Sequence, residues 1–194
     1  MIKKLTIPVD HGNRNMKTTH FLFTTGLSST DRKPAGREDF LQTDGKFYVL
    51  SDKRIPYQRD KTQDERFSIL TRFAIAKELE RTGQVTEEDV VQVSLPIGVP
   101  PKHYAELAER YREYFLGDGK IQDLVYNGKT YHTCIRDVAV YPQAYAAMMT
   151  EGEKIRKIPK AVGIDIGGFT SDFLLMRNGA PCLDYCDSME KGVI

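Results

Sequence analysis

Gly163-Ile164-Asp165-Ile166-Gly167-Gly168-Phe169-Thr170-Ser171-Asp172 is the stretch on which the reading of this chain turns. An apolar strand runs into an acidic residue, a glycine pair and a hydroxyl. A second apolar strand, Ser171 to Met176, then follows. A glycine turn between strands brings backbone N–H groups up to phosphate oxygens with no Cβ in the way. A carboxylate at the strand end suits magnesium, held through the ion's own waters because magnesium gives up water reluctantly. An earlier segment has the same design: Val9-Asp10-His11-Gly12-Asn13-Arg14-Asn15-Met16-Lys17. There Leu5 to Val9 is the apolar run and Thr18 to Thr25 the returning strand. Lys17 comes back from that second strand as a point charge on the phosphates. Each turn alone is weak evidence; the pair is specific.

The rest of the chain alternates strands with helices. Ser28 to Thr43 is polar, contains Pro34-Ala35-Gly36, and reads as an exposed connection; Phe47 to Leu50 reads as a strand. Thr62-Gln63-Asp64-Glu65 has the pattern of a capping box. Phe67, Leu70, Phe73, Ala74 and Leu79 follow at helical spacing, with Gly83 as the left-handed stop. Val90 to Leu95 reads as a strand ending at Pro96. A second amphipathic helix begins near Pro101 and carries Tyr104, Leu107, Ala108, Tyr111 and Phe115 on one face, with Gly117 as its stop. Asn127-Gly128 joins Ile121–Tyr126 to Tyr131–Val140 as a hairpin. Pro142 fits the first turn of a helix running to about Met149. A basic loop, Lys154 to Lys160, leads to Ala161–Ile166, which reads as a central buried strand, and Asn178-Gly179 is a further hairpin turn. The fold class is α/β, rich in hairpins.

Composition sets the outer bounds. The 194 residues include 28 basic and 27 acidic side chains, for a formal net charge of +1. That balance removes the electrostatic reason to propose direct binding to nucleic acid or a membrane surface. Hydrophobic residues make up 40% and charged ones 28%, a globular composition. Three cysteines, Cys134, Cys182 and Cys186, do not make a disulfide framework at this size, so a reduced, cytoplasmic setting is expected. The N-terminus lacks the apolar run of a signal peptide, and no stretch is long enough to span a membrane.

Other motifs fail on spacing. Gly128-Lys129-Thr130 resembles the end of a nucleotide-binding P-loop, but Asp123 stands where the required glycine belongs. Gly117-x-Gly119 lacks the third glycine of a dinucleotide fingerprint, since Gln122 stands there. His132, Cys134, Cys182 and Cys186 show no repeated short spacing of a zinc site. His11 reads as an exposed turn residue, and Lys154, Arg156, Lys157 and Lys160 as a solvated loop.

The two glycine turns resemble the phosphate-1 and phosphate-2 motifs of the actin, sugar-kinase and heat-shock-chaperone ATPase superfamily. Val138-Ala139-Val140-Tyr141-Pro142-Gln143-Ala144 resembles its first connecting motif. Leu95-Pro96-Ile97-Gly98 before Pro101 is similar to a segment of bacterial actin-like proteins. The polar insertion, the order of elements and the ending Met189-Glu190-Lys191-Gly192-Val193-Ile194 look most like the ParM/StbA group of plasmid- and phage-encoded actin-like ATPases.

This resemblance covers essentially the whole chain but only the first half or so of that fold. It implies an actin-like, ribonuclease H-like lobe with a mixed sheet and flanking helices over residues 1–160. That lobe includes a small inserted subdomain at about 28–62, and residues 161–194 begin a second, truncated lobe. The implied cofactors are ATP or ADP and Mg2+. Asp10 and Asp165 match the acidic residues around the metal, held through water, and Asp165 is also placed with the catalytic groups. Gly12, Asn13 and Lys17 match the first phosphate loop, and Gly167, Gly168 and Thr170 the second. Gln143 matches the position that orients the attacking water, by hydrogen bonding and not as a full base. Phe169 departs from the small residue often found in the second turn. The implied function is a cytoplasmic ATPase forming nucleotide-dependent filaments for plasmid segregation or cargo positioning. Such a protein self-associates and reaches DNA only through an adaptor. The alternatives are a small-molecule, sugar-type kinase of the same superfamily and a structural fragment that binds no nucleotide.

Overall fold

The computed structural model describes residues 1–36 and 39–193. Arg37 and Glu38, inside the expected insert, and Ile194, at the end of the terminal stretch, lie outside the described residues.

The chain opens with β1 (Ile2–Thr6), β2 (Asp10–His11), β3 (Asn15–Lys17) and β4 (Leu22–Thr24). Next come β5 (Leu27–Thr30), β6 (Phe40–Thr43) and β7 (Lys46–Leu50), and then the helix α1 (Arg66–Thr82). The middle of the chain forms β8 (Val90–Val99), a 3-10 turn at Pro101–His103, and α2 (Tyr104–Leu116). The hairpin β9 (Gln122–Tyr126) and β10 (Lys129–Pro142) leads to two short helices, α3 (Tyr145–Met149) and α4 (Gly152–Ile155). The last strands are β11 (Lys160–Ile166), β12 (Ser171–Arg177), β13 (Ala180–Pro181) and β14 (Asp187–Met189).

A seven-stranded mixed sheet runs in the order β1-β8-β10-β9-β6-β7-β5. β1 and β10 lie parallel to β8, and the remaining pairs are antiparallel. Alternation along β8 buries Val91, Val93, Leu95, Ile97 and Val99, as expected of a strand at the heart of a sheet. α1 and α2 lie side by side: the Tyr114 hydroxyl accepts from the Ser68 N–H at 2.9 Å and donates to the Asp64 carbonyl at 2.6 Å. α1 buries Phe67, Leu70, Phe73, Ala74 and Leu79, as its spacing predicts, and ends at Gly83 with φ +60°. α2 buries Leu107, Tyr111 and Phe115. Each buried Leu or Phe among them contributes about 1.5–3 kcal/mol. β11, β12 and β13 form a second sheet in that order, with β14 also on β12. Among the described residues no helix is long and apolar enough to cross a membrane.

Several local expectations need correction. Ser28–Thr43 is not merely an exposed connection, because β6 pairs with both β7 and β9, burying Phe40 and Leu41. Thr62 caps nothing: its hydroxyl donates to Asp60, and Asp64 instead accepts from the Arg66 N–H at 2.9 Å. Pro142 ends β10 and does not start a helix; Ala144, at φ +67°, turns the chain before α3. The basic loop carries a helical turn, since Lys154 lies in α4. β11 is an edge strand of its sheet, with Val162, Ile164 and Ile166 each about 60% exposed, and not a central buried one.

Candidate functional site

Three parallel strand ends converge on one cleft. The line of β1 continues beside β8 through Ile7 N–H to Ser94 carbonyl and Val9 N–H to Pro96 carbonyl, both 3.0 Å. It therefore delivers Asp10 beside the ends of β8 and β10. The carboxyl ends of parallel strands are where α/β sheets bind ligands. The cleft has a volume of about 280 Å³ and is lined by Asp10, Gly12, Asn13, Lys17, Gln143, Asp165, Gly167, Gly168 and Thr170. Every site residue expected from the sequence thus faces one space.

The first turn owes its shape to Gly12 and its anchors. A Cβ at Gly12 would stand 2.5 Å from the Asn15 carbonyl oxygen, so a side chain cannot fit without moving backbone. Arg14 carbonyl accepts from Thr25 N–H at 3.2 Å, fixing the far side of the turn. The Asn13 side chain has a structural task. Its Oδ1 accepts from Gln58 N–H at 2.9 Å and its Nδ2 donates to the Gln58 carbonyl at 3.1 Å. Both side-chain groups are spent on backbone, so Asn13 offers a phosphate only its own N–H. Lys17 stands opposite Asp10 in the β2–β3 register and donates to its carboxylate at 2.9 Å. The Asp10 charge holds the Lys17 ammonium above its ordinary pKa.

His11 is not exposed. Only 1% of it reaches solvent, its ring stacks on Phe115 at 4.4 Å, and Nε2 lies 2.7 Å from Thr71 Oγ1. Thr71 gives its own proton to the Phe67 carbonyl, so Nε2 carries the hydrogen and donates. Burial, with the Lys61 charge nearby, pushes the imidazole down to about 3 and keeps it neutral. It is a core residue.

The second turn closes through Gly167 N–H to the Thr170 carbonyl at 2.8 Å. The Arg14 side chain lies against Gly168, where a Cβ would come within 2.7 Å of Arg14 Cδ. The two glycine turns therefore touch. Phe169 packs on Tyr57, ring centroids 6.0 Å apart, and lines the cleft together with both glycines.

Gln143 sits in the turn between β10 and α3, its N–H donating to the Val99 carbonyl at 2.9 Å. Gly98 leaves it room, since a Cβ there would meet Gln143 Cγ at 3.2 Å. Its buried Oε1 has no partner among the described residues, an unspent acceptor beside the cleft. Asp165 has its carboxyl pushed up by partial burial and by the Asp10 charge. A carboxyl pushed up beside another carboxylate suits a divalent cation between the two. Among the described residues no group of three or more His, Cys, Asp or Glu is assembled for a metal. This thin donor set fits an ion that keeps most of its waters, as magnesium does.

The lining also includes Tyr57, Arg59 and Lys61, which the sequence reading missed, and Asp172, which closes the quoted motif but was given no role. Asp172 is 3% exposed and accepts from the Ser188 and Thr170 hydroxyls. Its place two residues after Thr170 was a usable signal. Lys61 is also 3% exposed, and burial pushes its ammonium down to about 8 despite Asp10, Asp172 and Asp60 nearby. Nothing local in the sequence marks it.

Comparison with known proteins adds the following. The family model described as the N-terminal domain of actin-like proteins matches residues 8–145. No curated protein sequence matches the chain. Among solved structures, apo ParM of pSK41 is similar with a TM-score of 0.74 at 15% identity, covering 97% of this chain and 67% of that one. An AlfA filament bound to AMPPNP has a TM-score of 0.71 at 15% identity, covering 99% and 72%. The archaeal actin homologue Ta0583 in complex with ADP has a TM-score of 0.71 at 18% identity, covering 97% and 61%. At these identities the likeness establishes the fold.

Proposed function

The chain belongs to the actin-like proteins, through the N-terminal domain that residues 8–145 match, and on that premise we infer that its cleft holds the phosphates of ATP in an ATP-hydrolysing, filament-forming protein. The observation that carries this reading is that both glycine turns, Asp10, Asp165, Lys17 and Gln143 line one cleft. Filament structures of the AlfA and Alp12 relatives support self-association as the output. Plasmid DNA segregation or cargo positioning in the cytoplasm, with an adaptor between filament and DNA, is the role we assign. Residues 1–160 then make the first lobe with its insert at about 28–62, and residues 161–194 open the second.

In this reading, backbone N–H groups at Gly12, Asn13 and Gly168 cradle the phosphates, Gly167 and Thr170 close the second turn around them through their own hydrogen bond, and Lys17 adds a charged contact. Asp10 and Asp165 would hold Mg2+ through its waters, and the ion would supply charge neutralisation on the phosphate oxygens. The free Oε1 of Gln143 accepts a hydrogen bond from the attacking water and fixes its direction. A neutral amide takes no proton at neutral pH, so Gln143 orients and does not act as the base.

The test is phosphate release and light scattering of the whole protein with ATP, repeated with a panel of sugars. Asp165→Ala should cut turnover by about 10²-fold or more. Near-normal hydrolysis in that variant refutes the assignment, and sugar-dependent ATP consumption turns the reading to a kinase.

A further inference from the structure

Lys61 is a cleft residue that the glycine turns do not account for. It ends the segment Tyr57–Lys61, which leads from β7 towards α1, and it is held with little freedom. Its N–H donates to the Tyr111 hydroxyl at 3.0 Å, and that hydroxyl donates to the Arg59 carbonyl at 3.2 Å. Gln58, three residues earlier, is tied to the first turn by both groups of Asn13. The segment is thus fastened to α2 on one side and to the phosphate-1 turn on the other.

A lysine in such a place is costly. Burial removes side-chain entropy of up to about 2 kcal/mol and strips water from a strongly hydrated charge, so buried lysines are normally paired. Lys61 is 97% buried and lines the cleft. Among the described residues its ammonium has no hydrogen bond or ion pair; the Phe67 ring lies 5.7 Å from Nζ. The charges of Asp10 from β2, Asp172 from β12 and neighbouring Asp60 act on it without an ion-pair contact. Lys17, by contrast, is half exposed and already committed to Asp10. Lys61 is thus a preorganised, unspent cation of the cleft.

We propose that Lys61 is a phosphate-binding residue, its ammonium donating to an oxygen of the nucleotide's polyphosphate and marking out a triphosphate-sized anion as the ligand. The proposal rests on the nucleotide reading above. Arg14, Lys17, Arg59 and Lys61 oppose Asp10, Asp165 and Asp172 around the cleft, so the lining carries the cationic excess that a polyanion needs. A phosphate oxygen supplies the partner that the protein withholds.

The test measures binding of ATP and of adenosine by the whole protein and by its Lys61→Met and Lys61→Gln variants, together with urea unfolding of each without nucleotide. Methionine keeps the apolar stem and deletes an unpaired buried charge, so the nucleotide-free Met variant should unfold at the same or a higher urea concentration. Both variants should lose at least tenfold in ATP affinity and bind adenosine as the unaltered protein does. Equal ATP affinity in either folded variant overturns the role of Lys61, as does a parallel loss of ATP and adenosine. An unaltered protein that binds adenosine and ATP equally weakly overturns the nucleotide reading itself.

Discussion

Lowering the pH from 7 to 4 should cost the protein stability through His11. The imidazole is buried and neutral in the folded chain, with its pKa down to about 3, against 6.5 for a free histidine. The unfolded chain therefore takes up the proton first. Stability is intact above 6.5, falls as the pH drops towards 3, and falls no further from this group below that. Each pH unit inside the window is worth about 1.4 kcal/mol, so the descent from 6.5 to 4 removes about 3 kcal/mol. His11→Phe isolates the effect. Phenylalanine keeps the stack on Phe115 and abandons only an acceptor role of Thr71, whose own proton stays on the Phe67 carbonyl. Urea unfolding at pH 7, 6, 5 and 4, without nucleotide or magnesium, gives both curves. The unaltered protein should lose about 3 kcal/mol more than the variant across that range, whatever their stabilities at pH 7. Parallel curves would refute the buried neutral imidazole.

Gln143→Ala should slow hydrolysis while ATP binding and assembly persist, seen as filaments that outlive their parents in light scattering; unchanged filament lifetimes would remove Gln143 from the reaction. Asn13→Ala leaves the buried Gln58 N–H and carbonyl unpaired and should lower the unfolding free energy by about 2 kcal/mol or more, measured by urea titration. A change below about 0.5 kcal/mol would mean water replaces the side chain without loss. The 194-residue chain alone should self-associate through the open edge of β11, and Ile164→Lys should return it to a monomer in size-exclusion chromatography with light scattering. A monomeric unaltered chain would count against pairing at that edge.

What was legible in the sequence is what local chemistry decides. Asn127 and Gly128 both take positive φ, +51° and +87°, the backbone that a two-residue hairpin demands. Helix spacing found the buried faces of α1 and α2, and the paired Asp-glycine turns found the cleft. The missed features depend on partners far along the chain. Phe40-Leu41-Gln42-Thr43 is too short and polar to announce a strand, and is buried because β9 arrives beside it some 80 residues later. Lys61 is hidden by Tyr111 of α2 and by a first turn 48 positions upstream, neither visible from Asp60-Lys61-Thr62. Thr62 matched the capping pattern, but Asp64 is closer to the helix start and its carboxylate takes the Arg66 N–H. Ala161–Ile166 reads as doubly buried because its apolar pattern is that of a covered strand, yet three of its side chains face solvent.

The strand order β1-β8-β10-β9-β6-β7-β5 places the last-made strands of the large sheet in its middle. On a ribosome, β1 can meet β8, and β5, β6 and β7 can meet one another, long before β9 and β10 exist. Two half-sheets then wait with facing open edges, one bearing the Val91-Val93-Leu95 row of β8 and the other the backbone of β6. Residues 100–142 take roughly 2–9 s to make at about 5–20 residues per second. The nascent chain spends that interval with its most apolar strand half-paired, and the β9–β10 hairpin must wedge between the halves to finish the sheet. Slowing translation once Val99 has emerged from the ribosome should therefore lengthen chaperone occupancy of the nascent chain, whereas a pause once Pro142 has emerged should not.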